Sequence, residues 1–256
     1  MSSAVVTGAA GAMTTVDRIA HTNRWRGRSL AEKVVLALGL LVVALAFPPW
    51  PTAAAVLAVA ATAAIVGAGV APRTWALVMA APLGFVVTGA ATLLVTVGAD
   101  GVGLAPNGFA DAAELTLRAG AAAAALLLLA FTTPASDLVA GLARLRLPTE
   151  LVELALLVYR FLFVLSDTFA AMHAAQEARL GHVGWRRRIR SSGALAANLL
   201  PRALDRAHRM EAGLMARGWD GGALRVLTPR RPATVAGLAG VVATLAALVL
   251  LGVATR

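Results

Sequence analysis

The chain has no cysteine and a single lysine in 256 residues, and charged side chains make up only 14% of it. Without cysteine there can be no disulfide framework, no thiolate metal site and no cysteine nucleophile. The one lysine, Lys33, stands between Glu32 and Val34. A phosphate-cradling loop needs Gly-Lys-Ser/Thr, because glycine amides wrap the phosphates while the ammonium reaches the terminal ones. No such sequence exists here, so the chain is not an ATPase of that class, and any active transport must draw on an ion gradient or another subunit. Charge is scarce against the roughly 25% of a soluble domain. Together with 59% hydrophobic residues and a mean hydropathy of +0.78, that scarcity points to a polytopic membrane protein.

What charge there is has one dominant sign: 23 basic against 13 acidic residues, a formal net charge of +10. Uncharged runs locate the expected spans, since a charge at mid-bilayer costs roughly 2.5 to 3.5 kcal/mol on the insertion scale. Residues 34–72 form a run of 39, broken by Pro48-Pro49-Trp50-Pro51, where missing amide donors end a helix, so it predicts two spans. Residues 74–99, 119–136 and 232–255 supply three more. Between Asp137 and Arg231 the longest uncharged run is 11 residues, so nothing there is expected to span easily. The apolar stretch 151–171 carries Glu153, Arg160 and Asp167.

The distribution of arginine orients this arrangement. With the N-terminus inside, residues 1–33 carry five basic and two acidic groups, and residues 137–231 carry fifteen and eight. The expected outside loop, 99–118, holds Asp100, Asp111, Glu114 and Arg118. This obeys the positive-inside rule, whereas a sixth span through 151–171 would split the two basic regions between opposite faces. The fold class is therefore an all-α polytopic bundle of about five transmembrane helices with a cytoplasmic helical region. Its segments are a cytoplasmic tail (1–32), a four-span bundle (33–136), cytoplasmic helices (137–231) and a final span (232–256). Residues 1–25 are expected to be poorly ordered, and no basic region followed by an apolar core marks a signal peptide.

An insert of about 95 residues between two spans is too long to be a connector. Its first helix is expected over 137–147, after Thr132-Thr133-Pro134 and before Pro148. Its second starts at Thr149 and reaches Leu180, with Leu151, Leu154, Val158, Leu162, Leu165, Phe169 and Met172 on one face. That face suits a helix lying beneath the bundle against spans and headgroups. A plain buried helix of a small cytoplasmic domain has the same periodicity. Trp185-Arg186-Arg187-Arg188-Ile189-Arg190 suits a membrane interface, and its alternative use, nucleic-acid binding, is disfavoured in a polytopic chain. A third helix over 189–217 carries an Asp205–Arg209 pair at i, i+4 and is expected to kink or split at Pro201.

Two helix ends share a pattern: Ala178-Arg179-Leu180-Gly181 and Ala216-Arg217-Gly218. An arginine there complements the negative end of the helix dipole. It also fits a contact in which a small neighbour permits close approach and the guanidinium forks onto a partner's carboxylate. Metal chemistry has little support, because His21, His173, His182 and His208 lie outside the expected spans and at no ligand spacing. Asp137, Glu150, Glu153 and Asp167 lack the paired spacing of a magnesium-dependent membrane enzyme. A secondary transporter would show charged or broken mid-membrane helices, and only Pro82, Gly84 and Gly89 hint at one.

With these motifs in place, the sequence resembles the transmembrane T component of energy-coupling factor (ECF) transporters, and most of all the CbiQ-type subunit of cobalt uptake systems. The resemblance rests on Thr132-Thr133-Pro134, Leu145-Arg146-Leu147-Pro148, Tyr159-Arg160-Phe161, Ala175-Gln176-Glu177-Ala178-Arg179 and Met215-Ala216-Arg217-Gly218-Trp219-Asp220. It implies a non-enzymatic coupling subunit of the bacterial cytoplasmic membrane, docked on two cytoplasmic ABC ATPases and joined to an S component that binds the substrate. It implies docking roles for Ala178, Arg179, Ala216, Arg217 and Gly218, no cofactor in this chain, and ATP bound by the partners. Leu180 stands where the first motif of the family usually has glycine. Cobalt is the substrate the resemblance favours; nickel, biotin or another vitamin would need only a different S component.

Overall fold

The structure, a computed structural model, describes residues 16–98, 101–142, 148–179, 184–221 and 232–255. Contacts divide the chain into two compact units, one made of Met1–Leu138 with Pro229–Arg256 and the other of Val139–Thr228.

The first unit is a helical bundle. A short helix α1 covers residues 16–22 and is followed by a 3-10 turn, Arg24–Gly27. Helix α2, Leu30–Ala46, starts where Ser29 Oγ accepts from the Ala31 amide at 3.3 Å and stops ahead of Pro48 and Pro49. Helix α3, Ala54–Thr62, is flanked by wider turns at Pro49–Ala53 and Ala63–Gly67. Helix α4, Pro72–Ala91, leads through a 3-10 turn into a small hairpin in which β1 (Val95–Gly98) pairs antiparallel with β2 (Gly101–Leu104). Helices α5, Gly108–Thr132, and α9, Val235–Ala254, complete the unit.

Helix α5 is the axis of the bundle and packs on α2, α3 and α4, while α9 packs on α2. Its buried stripe, Ala121, Ala124, Ala125 and Leu128, follows helical spacing and meets Leu36, Leu40 and Val43 of α2 and Val56 and Ala60 of α3 in one core. Small side chains dominate because lipid tails give no hydrophobic drive between helices, so close backbone approach must supply the contact. On the α2–α9 side, a Cβ on Gly252 would sit 2.5 Å from the Phe47 ring.

The second unit contains α7, Thr149–Ala178, and α8, Trp185–Met215. These helices pack on each other, yet among described residues only Val152, Ser191 and Leu195 are buried in them. Helix α6, Ala135–Leu142, contains the boundary between the two units in sequence.

Several expectations need correction. Residues 16–25, expected to be poorly ordered, form helix α1, a bend at Asn23 and the start of the 3-10 turn, because Ala20 is fully buried and the Trp25 ring covers Gly67; residues 1–15 lie outside the described residues. The span expected over 74–99 ends at Ala91 and turns into the β1–β2 hairpin. The span expected to begin at residue 119 begins at Gly108, since Asp111, Glu114 and Arg118 fall within its first turns, away from mid-bilayer. Of the two outcomes expected at Pro201, a kink or a split, the split does not occur, since α8 runs through it. The first helix of the insert is described to Leu142, and its expected continuation to 147 lies outside the described residues.

The helices long and apolar enough to cross a membrane, among described residues, also number five, but they are not the five expected. They are Pro49–Gly67, Pro72–Leu94, Gly108–Thr132, Glu150–Ala178 and Val235–Ala254. Helix α2 has 17 residues, about 26 Å of rise against a hydrocarbon core of about 30 Å. Helix α7 qualifies, against the expectation that nothing between 137 and 231 spans easily. The reason is spacing: Glu153, Arg160 and Asp167 are seven residues apart, so they share one face and leave the opposite face apolar.

Candidate functional site

Helices α7 and α8 form an antiparallel hairpin. Ser191 Oγ near the start of α8 donates to Gln176 Oε1 near the end of α7 at 3.3 Å. Farther along, Arg160, Phe161 and Val164 face Arg206, Arg209 and Met210 across a groove of about 280 Å³. The two expected docking motifs therefore fall at opposite ends of one hairpin. Arg217 lies 26 positions beyond Ser191, roughly 40 Å along the helix.

Ala178 closes α7, and Arg179 caps it with φ −92° and ψ 15°, its amide donating to the Gln176 carbonyl at 3.2 Å. Both are exposed, and Leu180 and Gly181 lie outside the described residues. The end of α8 is better built. Gly218 takes φ +82°, its amide donates to the Met215 carbonyl at 3.0 Å, and the Trp219 amide donates to the Leu214 carbonyl at 3.1 Å. This is a Schellman closure, which needs a left-handed residue at the position Gly218 occupies. It leaves Ala216, Arg217 and Gly218 exposed at a rigid corner. Neither Arg179 nor Arg217 makes a side-chain hydrogen bond or ion pair with a described residue, so the helix-dipole role leaves both guanidinium groups available.

The hairpin has two unlike sides. On α7, Leu151, Leu154, Val158 and Leu162, expected to share an apolar face, are all more than half exposed. Arg160 lies two residues from Val158 and from Leu162, on the opposite face. It shares its groove with Arg206 and Arg209, and a second groove of about 240 Å³ is lined by Arg187 and Arg190 with Gln176. The Asp205–Arg209 pair expected at i, i+4 is not formed among the described residues; Arg209 turns into the groove instead. Such an exposed pair is worth only about 0.3 to 0.5 kcal/mol, so little holds it together. Trp185 and Ile189 are exposed beside the arginine cluster, with Arg186 over the Trp185 ring at 5.5 Å.

A polar node in the bundle was not anticipated. Glu32 is 2% exposed and Lys33 4% exposed at the first turn of α2. Lys33 Nζ donates to the Thr132 carbonyl at the end of α5, at 2.8 Å. Glu32 Oε1 accepts from the Thr234 amide at 2.8 Å and from Thr234 Oγ1 at 3.1 Å, at the start of α9. Asn23 Nδ2 donates to the Ala20 and Phe131 carbonyls at 2.7 and 3.1 Å, and Arg26 pairs with Asp137 in the first turn of α6. The one signal in the sequence was a lysine unique in an arginine-rich chain, placed at the head of an apolar run. No group of three or more His, Asp or Glu able to hold a metal occurs among the described residues.

Comparison with known proteins identifies the family. A family model described as "Cobalt transport protein", CbiQ, matches residues 22–230. The cobalt transport protein CbiQ of Rhodobacter capsulatus is 51% identical over 238 residues, covering 93% of this chain and 97% of that protein. CbiQ of Salmonella typhimurium is 29% identical, over 82% of this chain and 98% of its own length. A putative fused cobalt transport protein CbiMQ of Methanocorpusculum labreanum is 27% identical over 80% of this chain, the match taking up 36% of that longer protein. A match spanning most of the sequence, on a helical chain with several membrane-length apolar helices, places this multi-pass membrane protein in the CbiQ family of cobalt transport proteins, a family of transporters and not of enzymes.

Proposed function

We propose that this chain is the transmembrane coupling subunit of an ECF-type importer for cobalt ions. Two cytoplasmic ABC ATPases bind and hydrolyse ATP, an S component in the membrane binds the ion, and this chain carries motion between them without a cofactor of its own. The observation that carries the reading is the hairpin: two exposed arginine-bearing helix ends, Ala178-Arg179 and Ala216-Arg217-Gly218, lie roughly 40 Å apart along one rigid pair of helices. One pair of ends suits one pair of ATPases. The relatives named for cobalt transport, and the fusion of a CbiQ-like region into a longer CbiMQ protein, support both the substrate and a multisubunit system.

The polar node supports an inside location for the hairpin. Lys33 and Glu32 are adjacent, one bonded to the end of α5 and the other to the start of α9, so both helix ends lie at the same face of the bundle. A segment that leaves and returns on one face crosses the bilayer an even number of times. Helix α8, dense in arginine, is a poor span, so α7 does not cross alone despite its length. It lies along the interface instead, its Leu151–Leu162 stripe towards lipid and membrane partners and its arginine side towards the ATPases.

Arg217→Glu tests the docking role. Full-length protein co-expressed with its ATPases and S component should lose ATPase co-purification at least tenfold while remaining in the membrane fraction. Wild-type association and cobalt uptake in this variant would refute it.

A further inference from the structure

We infer that residues 23–33 act as a strut that positions the coupling segment, with Lys33, Asn23 and Arg26 as its positioning residues. The inference rests on the coupling role proposed above. It begins from the way α5 ends. The last carbonyls of a helix have no partner within it. Here the Thr133 amide donates to the Leu129 carbonyl at 2.9 Å and Thr132 Oγ1 to the Leu128 carbonyl at 2.7 Å. The last two carbonyls of the helix, of Phe131 and Thr132, are taken by side chains about one hundred residues away, Asn23 Nδ2 and Lys33 Nζ.

The chain then breaks. Thr133 is extended, as the residue before a proline prefers, and Pro134 directly precedes α6, its carbonyl accepting from the Asp137 and Leu138 amides at 3.0 and 3.2 Å. Arg26 reaches across the break to Asp137. Residues 23–33 therefore grip both sides of the Thr132-Thr133-Pro134 joint, the point where the bundle hands over to the segment leading into the hairpin.

The same strut is fastened to a second helix. The Lys33 ammonium sits at the negative end of α5 and the Glu32 carboxylate at the positive end of α9, each placement favourable to the helix dipole. Neither charge can move independently of α2, whose first turn carries both. A Cβ on Gly237 would lie 2.6 Å from Glu32 Oε2, so α9 approaches this carboxylate as closely as a glycine allows. The segment that connects the bundle to the coupling hairpin and the segment that returns from it are thus locked to one dipeptide. A push on either is delivered to α2 and α9 together, instead of being absorbed by bending at an isolated proline joint. Exposure fits the division of tasks: Glu32 and Lys33 are sealed, whereas the Arg26–Asp137 pair is about one third exposed and lies on the side where α6 begins.

The test uses the complete transporter, with its ATPases and S component, in proteoliposomes, reading complex assembly, ATP hydrolysis and cobalt uptake separately. Lys33→Met and Arg26→Gln are expected to leave assembly intact and hydrolysis within about twofold, while cobalt taken up per ATP falls at least fivefold. Because burial of Lys33 makes its replacement prone to misfolding, the more exposed Arg26–Asp137 pair provides the second variant: Arg26→Asp with Asp137→Arg should recover at least half of the uptake lost in Arg26→Gln. Unchanged uptake per ATP in both single variants, with wild-type assembly, overturns the strut and leaves the coupling role standing. Equal loss of hydrolysis and uptake assigns these residues to stability alone and also overturns it. A wild-type complex that binds no ATPases overturns the coupling role itself, and the strut with it.

Discussion

The α2–α5–α9 bundle and the α7–α8 hairpin are both made of long helices rich in leucine and alanine, and they differ in whether those residues build a core. In the bundle Leu40 is fully buried, Leu128 is 1% exposed, and glycine and alanine let the backbones close up. In the hairpin Leu151, Leu154, Val158 and Leu162 stand more than half exposed, and arginines line the grooves between the helices. Charge follows the same division. The bundle buries Glu32 and Lys33 against helix ends, whereas Arg179 and Arg217 find no described partner. The bundle has a packed core with a polar node at one end, whereas the hairpin is almost entirely surface.

Substitutions can break this contrast at the bundle end first. Leu40→Ala removes a fully buried side chain from the main core, so unfolding in detergent should become easier by about 2 to 5 kcal/mol. The same truncation in the hairpin, Leu162→Ala, should change stability by less than about 0.5 kcal/mol, because its side chain is 51% exposed. A cost near that of Leu40→Ala at position 162 would mean that the hairpin carries a core of its own. Between these lies Gly218→Ala. There is open space for the methyl group but φ is +82°, so the helix end should lose about 1 to 2 kcal/mol, read as greater amide exchange at residues 215–219.

The pattern of charge was readable before any coordinates. A chain with so few charged residues has to bury its apolar helices in lipid, and runs without charge found most of the bundle. They misplaced the edges, because a helix continues through charged residues that only the bilayer centre excludes; α5 begins at Gly108 for that reason. They also undervalued α7, in which Glu153, Arg160 and Asp167 fall on a single face. The two helix ends proposed to dock were legible as motifs, since an arginine beside a small residue at a helix stop is a local signal. Their separation was not, because it depends on which residues of α7 and α8 lie side by side.

The polar node was the least legible feature. Asn23, Lys33, Thr132, Asp137 and Thr234 are scattered over more than two hundred positions, and each alone looks like an ordinary polar residue at the edge of a span. Composition by itself determined that the chain lives in a membrane, that it holds neither a P-loop nor a thiolate site, and that its basic weight sits in one insert, because these depend on residue type and order alone. Only the tertiary structure decided that the single lysine closes α5 while its neighbour holds α9. A buried charge is tolerable only where a partner meets it, and that partner was supplied by how the helices pack.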